Sequence, residues 1–142
     1  MALTSPYDVY QRTQVDTASP AKLVVMLYDG AIRFLRQGQA AMQQGDREKQ
    51  NHYLVRAQRI ITELASSLDM EAGGEIAQNL MALYQFMHEQ LVMANLQDDV
   101  AKVQKVCEML QSLREAWAQV EVAVREASSQ TAGEKMEVSH AA

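Results

Sequence analysis

Apolar and polar residues alternate along this chain with a spacing of three and four, and four such runs follow one another between Ser19 and Ala127. Ser19 before Pro20 predicts the first start, because a serine oxygen can accept from free amide groups and proline lacks only an N–H that has no partner there anyway. This helix is expected to run to Gln44, with Gly45 as its stop. Asp46 predicts a second cap. Behind it Tyr53, Leu54, Ala57, Ile60, Ile61, Leu64 and Leu68 share one side, while Arg56, Arg59 and Glu63 face away. Gly73 and Gly74 break the period, and Glu75 stands where a negative charge favours a new helix start. The third core stripe then reads Ile76, Leu80, Leu83, Tyr84, Met87, Leu91 and Ala94, ending near Asn95. Asp98 or Asp99 opens the fourth, where Val103, Val106, Leu110, Leu113, Trp117, Val120 and Val124 form a three-and-four seam.

No run of alternating β-branched residues occurs, so the fold class is all-α. Short connections between long helices favour antiparallel neighbours, and the pattern predicts an up-down four-helix bundle over residues 19–127. Residues 1–18 form a separate N-terminal segment, helical or extended, in which Ser5-Pro6 repeats the cap signal and Tyr7, Tyr10 and Val15 are the apolar members. Residues 128–142 have no apolar period and are expected to be a disordered tail.

The first and third helices are greasier than one packing face requires. On helix one, Leu23, Leu27, Ala31, Phe34, Leu35, Gly38 and Met42 make a broad core face; Val25, Tyr28 and Ile32 project to another side and Met26 to a third, leaving Lys22, Asp29, Arg33 and Arg36 as the polar wedge. Helix three carries Met81 and Val92 on one flank of its stripe and Phe86 and Met93 on the other. Two readings fit this surplus. Either both helices are central and bury two faces, or they leave apolar surface for a groove or for a second copy of the chain. Nine methionines favour a groove, because their side chains adapt to flexible helical partners.

Charge and composition remove other classes. Thirteen basic against eighteen acidic residues give a formal charge of −5, which offers no general attraction to nucleic acid. No stretch is long and apolar enough for membrane insertion, and the first residues lack a secretion signal. With a lone Cys107 beside the fourth seam, a reducing cytosol is the expected compartment and a buried, inert thiol the expected role.

Several motifs, in order, resemble the flagellar secretion chaperone FliS family. These are T-A-S-P at 17–20, M-L-Y-D-G-A at 26–31, L-D-M-E-x-G-G-E-I-A-x-N-L at 68–80, L-Y-x-x-M at 83–87, A-N-L at 94–96 and Trp117 late in the last helix. The resemblance implies a cytosolic, non-enzymatic chaperone that wraps the C-terminal segment of flagellin, unfolded before export, and takes part in its delivery to the export gate protein FlhA. It implies no cofactor. On this reading Val25, Met26, Tyr28, Asp29, Ile32, Met81, Tyr84, Phe86, Val92, Met93 and Asn95 are the client-binding candidates, and Tyr7, Tyr10 and Val15 belong to a segment that caps the groove or serves handover. At 83–90 the chain departs from the family form: Gln85 and Phe86 stand in the L-Y-x-x-M motif and His88-Glu89-Gln90 follow where a basic pair is usual, so no charge-based contact is carried over to helix three.

Enzymatic alternatives find little support. The one Glu-x-x-His pair, Glu137 and His140, lies in the expected tail rather than facing a bundle core, and neither a phosphate loop nor a His-Glu-x-x-His sequence occurs. A phosphotransfer bundle would use His88, but Glu89 and Gln90 beside it supply the wrong charge for a phosphoryl group. The remaining rival is a self-associating helical adaptor, in which a homodimer covers the surplus.

Overall fold

The structure, a computed structural model, describes the backbone of residues 19–141 and the side chains of residues 19–130. Four helices follow in order: α1 (Pro20–Gln43), α2 (Arg47–Ser66), α3 (Met70–Gln97) and α4 (Val100–Ala141), with no strand among the described residues. Tyr7, Tyr10 and Val15 lie outside the described residues.

Local chemistry accounts for the helix boundaries. The Lys22 amide donates to Ser19 Oγ at 3.1 Å, and the Lys49 amide to Asp46 Oδ1 at 3.1 Å. Gly45 takes φ +71°, a left-handed value that only glycine adopts without strain, and so ends α1 where the sequence expects. Of the two candidates for the fourth cap, Asp99 is the one, accepting from Ala101 N and Lys102 N at 3.1 and 3.3 Å. Asp98 instead closes α3 in the left-handed conformation, φ 54°.

The start of α3 differs from expectation. It begins at Met70, because the Asp69 carboxylate accepts from Ala72 N at 3.0 Å and caps a turn before the glycines. The expected break is present too: Gly74, at φ 51° and ψ −128°, interrupts the helix before it resumes. At the other end of the chain, helical backbone continues past Ser128 to Ala141, where the sequence expects a tail; no proline interrupts 128–141.

The chain divides into two compact units, Met1–Val25 with Glu115–Ala142, and Met26–Arg114. In the first, Ala21 is buried, Trp117 is half-buried, and Val120 and Val124 are exposed rather than continuing the core seam. α4 has 42 residues against 24 in α1, so its far part outruns a helix of ordinary length.

Met26–Arg114 holds the main core. α1 meets α4 through Gln39 Nε2 donating to Gln104 Oε1 (2.7 Å) and Arg114 Nε donating to Asp29 Oδ1 (2.8 Å); as one number falls the other rises, so the two run antiparallel. The same holds for α1 and α2, where Gly30 faces Ile60 and Gly38 faces Leu54, and for α2 and α3, where Gln50 meets Asn95 near one end and Ile61 faces Tyr84 farther along. This is the up-down arrangement the sequence predicts. Leu54, Ile61, Leu64, Met87, Leu91, Val103, Val106 and Leu110 fill it, each essentially enclosed.

α1 presents a different side to the core from the one expected. Ala31 and Leu35 are enclosed as expected, but Tyr28 and Ile32 are enclosed with them, whereas Leu27 and Phe34 are only half-buried. The helix is turned by less than one residue step, enough to exchange core and flank. Two glycines accommodate this rotation: a Cβ at Gly38 would come within 2.9 Å of Leu54 Cδ2, and one at Gly30 within 3.3 Å of Ile60 Cδ1, so α2 nestles against the glycine side. Most of the surplus on α1 is therefore internal packing. On α3 the correction runs the other way, because Ile76, at 73% exposure, and Leu83 lie outside the core.

A polar knot closes one end of this unit. The buried Gln50 Nε2 donates to Asn95 Oδ1 (3.1 Å) and Asp98 Oδ1 (2.9 Å), Asn95 Nδ2 donates to Asn51 Oδ1 (2.9 Å), and Arg47 pairs with Asp98. Gln50→Ala is expected to lower stability by about 1–3 kcal/mol, since the acceptors lose their buried donor. Arg47→Ala, whose side chain is largely exposed, is expected to cost less than about 1 kcal/mol. Urea unfolding at unchanged slope measures both.

Candidate functional site

α2 and α3 pack side by side but do not close on one another along their whole length. α2 supplies Ile61, Thr62, Ala65 and Ser66, α3 supplies Met81, Tyr84, Gln85, His88 and Glu89, and between them lies a groove of about 420 Å³. The small side chains of Ala65 and Ser66 fall where a leucine pair would have filled the space. Met81, Gln85 and His88 follow the four-and-three spacing of one helix side, and Val92, exposed, continues that row.

Two polar groups of the groove are satisfied from within the chain. Ser66 Oγ donates to Thr62 O at 2.9 Å, turning the hydroxyl back onto its own helix. The Tyr84 hydroxyl meets that of Tyr28 at 2.5 Å in a buried contact in which either can donate. Burial pushes the Tyr84 phenol above its ordinary range, with the hydrogen bond from Tyr28 opposing the shift. The groove thus has an apolar floor of Ile61, Ala65, Met81 and the Tyr84 ring, with Gln85, His88 and Glu89 at its polar rim.

The sequence-derived candidates divide clearly. Met81 and Tyr84 line the groove, and Val92 extends it. Tyr28 and Ile32, at 0% and 6% exposure, are core residues rather than open surface. Asp29 is held by Arg114 and Asn95 by the polar knot. Val25 and Met93 are half-buried, while Met26 and Phe86 are exposed without lining the groove. The α2 wall went unread because it is made of Thr62, Ala65 and Ser66, residues that carry no hydropathy signal; their run of small side chains opposite Met81 is the clue the sequence offered. Cys107 is buried, and its thiol is pushed up by desolvation, with the nearby Arg36 opposing; it fits the inert role expected of it. No group of three or more His, Cys, Asp or Glu that could hold a metal ion occurs among the described residues, and none of the described helices is long and apolar enough to cross a membrane.

These features define the class: an all-α bundle with an open groove between two helices, apolar within and polar at its margin. The flagellar protein FliS family model matches residues 3–124, and the chain belongs to that family. It is 44% identical over 108 residues to the flagellar secretion chaperone FliS of Vibrio cholerae, covering 76% of this chain and 79% of the relative. The corresponding chaperone of Bacillus subtilis is 36% identical over 119 residues, 84% and 88% of the two chains, and that of Salmonella typhimurium 40% over 107 residues, 75% and 79%. A bacterial flagellar chaperone known from its crystal structure shares the fold with a TM-score of 0.68 at 18% identity, covering 82% of this chain and 97% of its own. Membership of a chaperone family implies a non-enzymatic role.

The buried tyrosine pair gives a double test. Tyr28→Phe leaves the Tyr84 hydroxyl without that hydrogen bond and is expected to cost about 1–3 kcal/mol, whereas adding Tyr84→Phe is expected to cost less than the two single losses combined. Because the folded protein holds the Tyr84 proton more tightly than the unfolded chain, the linked stability is intact below the ordinary tyrosine pKa of about 10 and declines as pH rises beyond it. Tyr84→Phe is expected to flatten that alkaline decline in denaturant midpoints.

Proposed function

We propose that this protein is a flagellar export chaperone that holds the C-terminal segment of flagellin, unfolded before export, by laying apolar sides of that segment's nascent helices into the groove between α2 and α3 and along the exposed apolar side chains of α3. The observation that carries the reading is the groove itself, an apolar floor with a polar rim in a chain of the FliS family. An amphipathic helix placed there covers Met81 and Val92 with its apolar side and meets Gln85, His88 and Glu89 at the rim with its polar one. Capture keeps the client from polymerising early. Release is built into the energetics, because ordering a disordered segment consumes about 2–5 kcal/mol of the gross interaction and keeps a long interface from becoming irreversible.

The setting is the bacterial cytosol, and the next step is delivery of the loaded chaperone to the export gate protein FlhA. Phe86, Met93 and Met26 extend the client path beyond the groove on this reading, since a segment that wraps the bundle must cross more than one helix side.

Titrating the full-length protein with an isolated flagellin C-terminal segment is expected to give a one-to-one complex with a gain of helical circular dichroism. Met81→Glu and Val92→Asp are each expected to weaken binding about tenfold or more, a charge in the interface being left without solvent, while melting stays near that of the parent. Ile76→Asp, at a site 73% exposed and on another side of α3, serves as the control. Equal affinity for all four proteins rules the groove out, and a stable dimer by light scattering that ignores the segment favours the self-associating adaptor.

A further inference from the structure

A second surface lies on α1 and α2, away from the groove. The Arg33 guanidinium stands 5.4 Å from the centre of the Phe34 ring and that of Arg56 stands 5.8 Å from the same centre, so the two cations are no farther apart than those distances laid end to end. Phe34 stacks on Tyr53 at 6.3 Å, and His52 meets Tyr53 edge-on at 5.1 Å. Arg59 follows Arg56 by one turn on the outer side of α2. The ion pairs of the described residues join Asp29, Asp46, Asp98, Asp99 and Glu121 to other basic groups, and none reaches these three arginines. In a chain of net charge −5, a half-buried aromatic pair is thus flanked by two cations set over the Phe34 ring, with a third, Arg59, one turn along α2.

We propose that this α1–α2 face docks an acidic helical segment of another protein. The cation geometry suits carboxylates spaced one helical turn apart: Arg56 and Arg59 match such a pair along α2, and Arg33 reaches the first from across the Phe34 ring. Guanidinium forks engage carboxylates with two parallel hydrogen bonds, and Phe34 and Tyr53 give the apolar side chains between the carboxylates a surface to cover. Nucleic acid and anionic lipid suit the face poorly, since the net negative charge of the chain opposes any extended polyanion while leaving a local cluster free to act over a few ångströms. The proposal does not depend on the flagellin reading, because the face shares no residue with the groove.

The test uses the full-length protein and a fluorescein-labelled helical peptide carrying glutamate at every fourth position with leucine beside it, alongside a twin with glutamine in place of each glutamate. The acidic peptide is expected to bind, to weaken about tenfold between low and physiological ionic strength, and to outcompete its twin. Arg33→Gln with Arg56→Gln is expected to lower affinity about tenfold or more while flagellin-segment capture is unchanged; should that pair destabilise the fold, Arg59→Gln, which touches no ring, is expected to lower it about threefold. No binding, equal binding of the twin, indifference to the substitutions, or preference for phosphatidylserine vesicles or duplex RNA over the peptide overturns the assignment. Loss of flagellin capture in the double variant would also overturn it, by merging this face with the client path.

Discussion

Two hydroxyl groups, those of Tyr28 and Tyr84, meet inside the protein at 2.5 Å, and the arrangement of the helices around them follows from that contact. A buried phenol must find a partner, and each of these tyrosines reaches the other only at one rotation of α1 and one rotation of α3. With α1 so turned, its glycines face α2 and admit Leu54 and Ile60 to close range. With α3 so turned, Met87 and Leu91 point inward while Met81, Gln85 and His88 border α2 across a gap. The groove is the residue of this constraint: α3 cannot roll to close it without separating the two phenols.

How much of this was legible depends on whether a residue acts alone or by comparison. Ser19, Gly45 and Asp46 act alone, since a cap or a left-handed glycine has the same meaning wherever it stands, and each was found where the sequence placed it. The core side of α1 is a comparison. Leu23, Leu27 and Phe34 on one side are as apolar as Tyr28 and Ile32 on the other, and hydropathy gives no ground for preferring either; Gly30 and Gly38, which mark where another helix comes close, were the better guide. Ile76 and Leu83 show the same weakness on α3, where an apolar period continued onto a side that no helix covers. The groove was half legible, through Met81 and Tyr84, because long apolar side chains announce themselves and a wall of Thr62, Ala65 and Ser66 does not.

The family assignment and the geometry carry different parts of the functional reading. Motif order and relatives place the chain among flagellar secretion chaperones, which sets the kind of client. The structure adds how a chain can keep apolar side chains outside and still be stable alone: those left exposed are distributed over α1, α3 and α4. A binding surface of this kind does not require the protein to refold when the client leaves.

Gly74 has a consequence for the length of the chain. Its φ of 51° and ψ of −128° end one helical phase and begin another, so the angular position of every later residue in α3 is counted from Glu75 and not from the Asp69 cap. Residues gained or lost between Asp69 and Gly74 alter a single turn at the helix mouth and leave the orientation of Tyr84 untouched. The same change after Gly74 swings the rest of α3 by about 100° and pulls the phenols apart. A change in length is therefore best accommodated between Asp69 and Gly74, where the floor of the groove keeps its orientation.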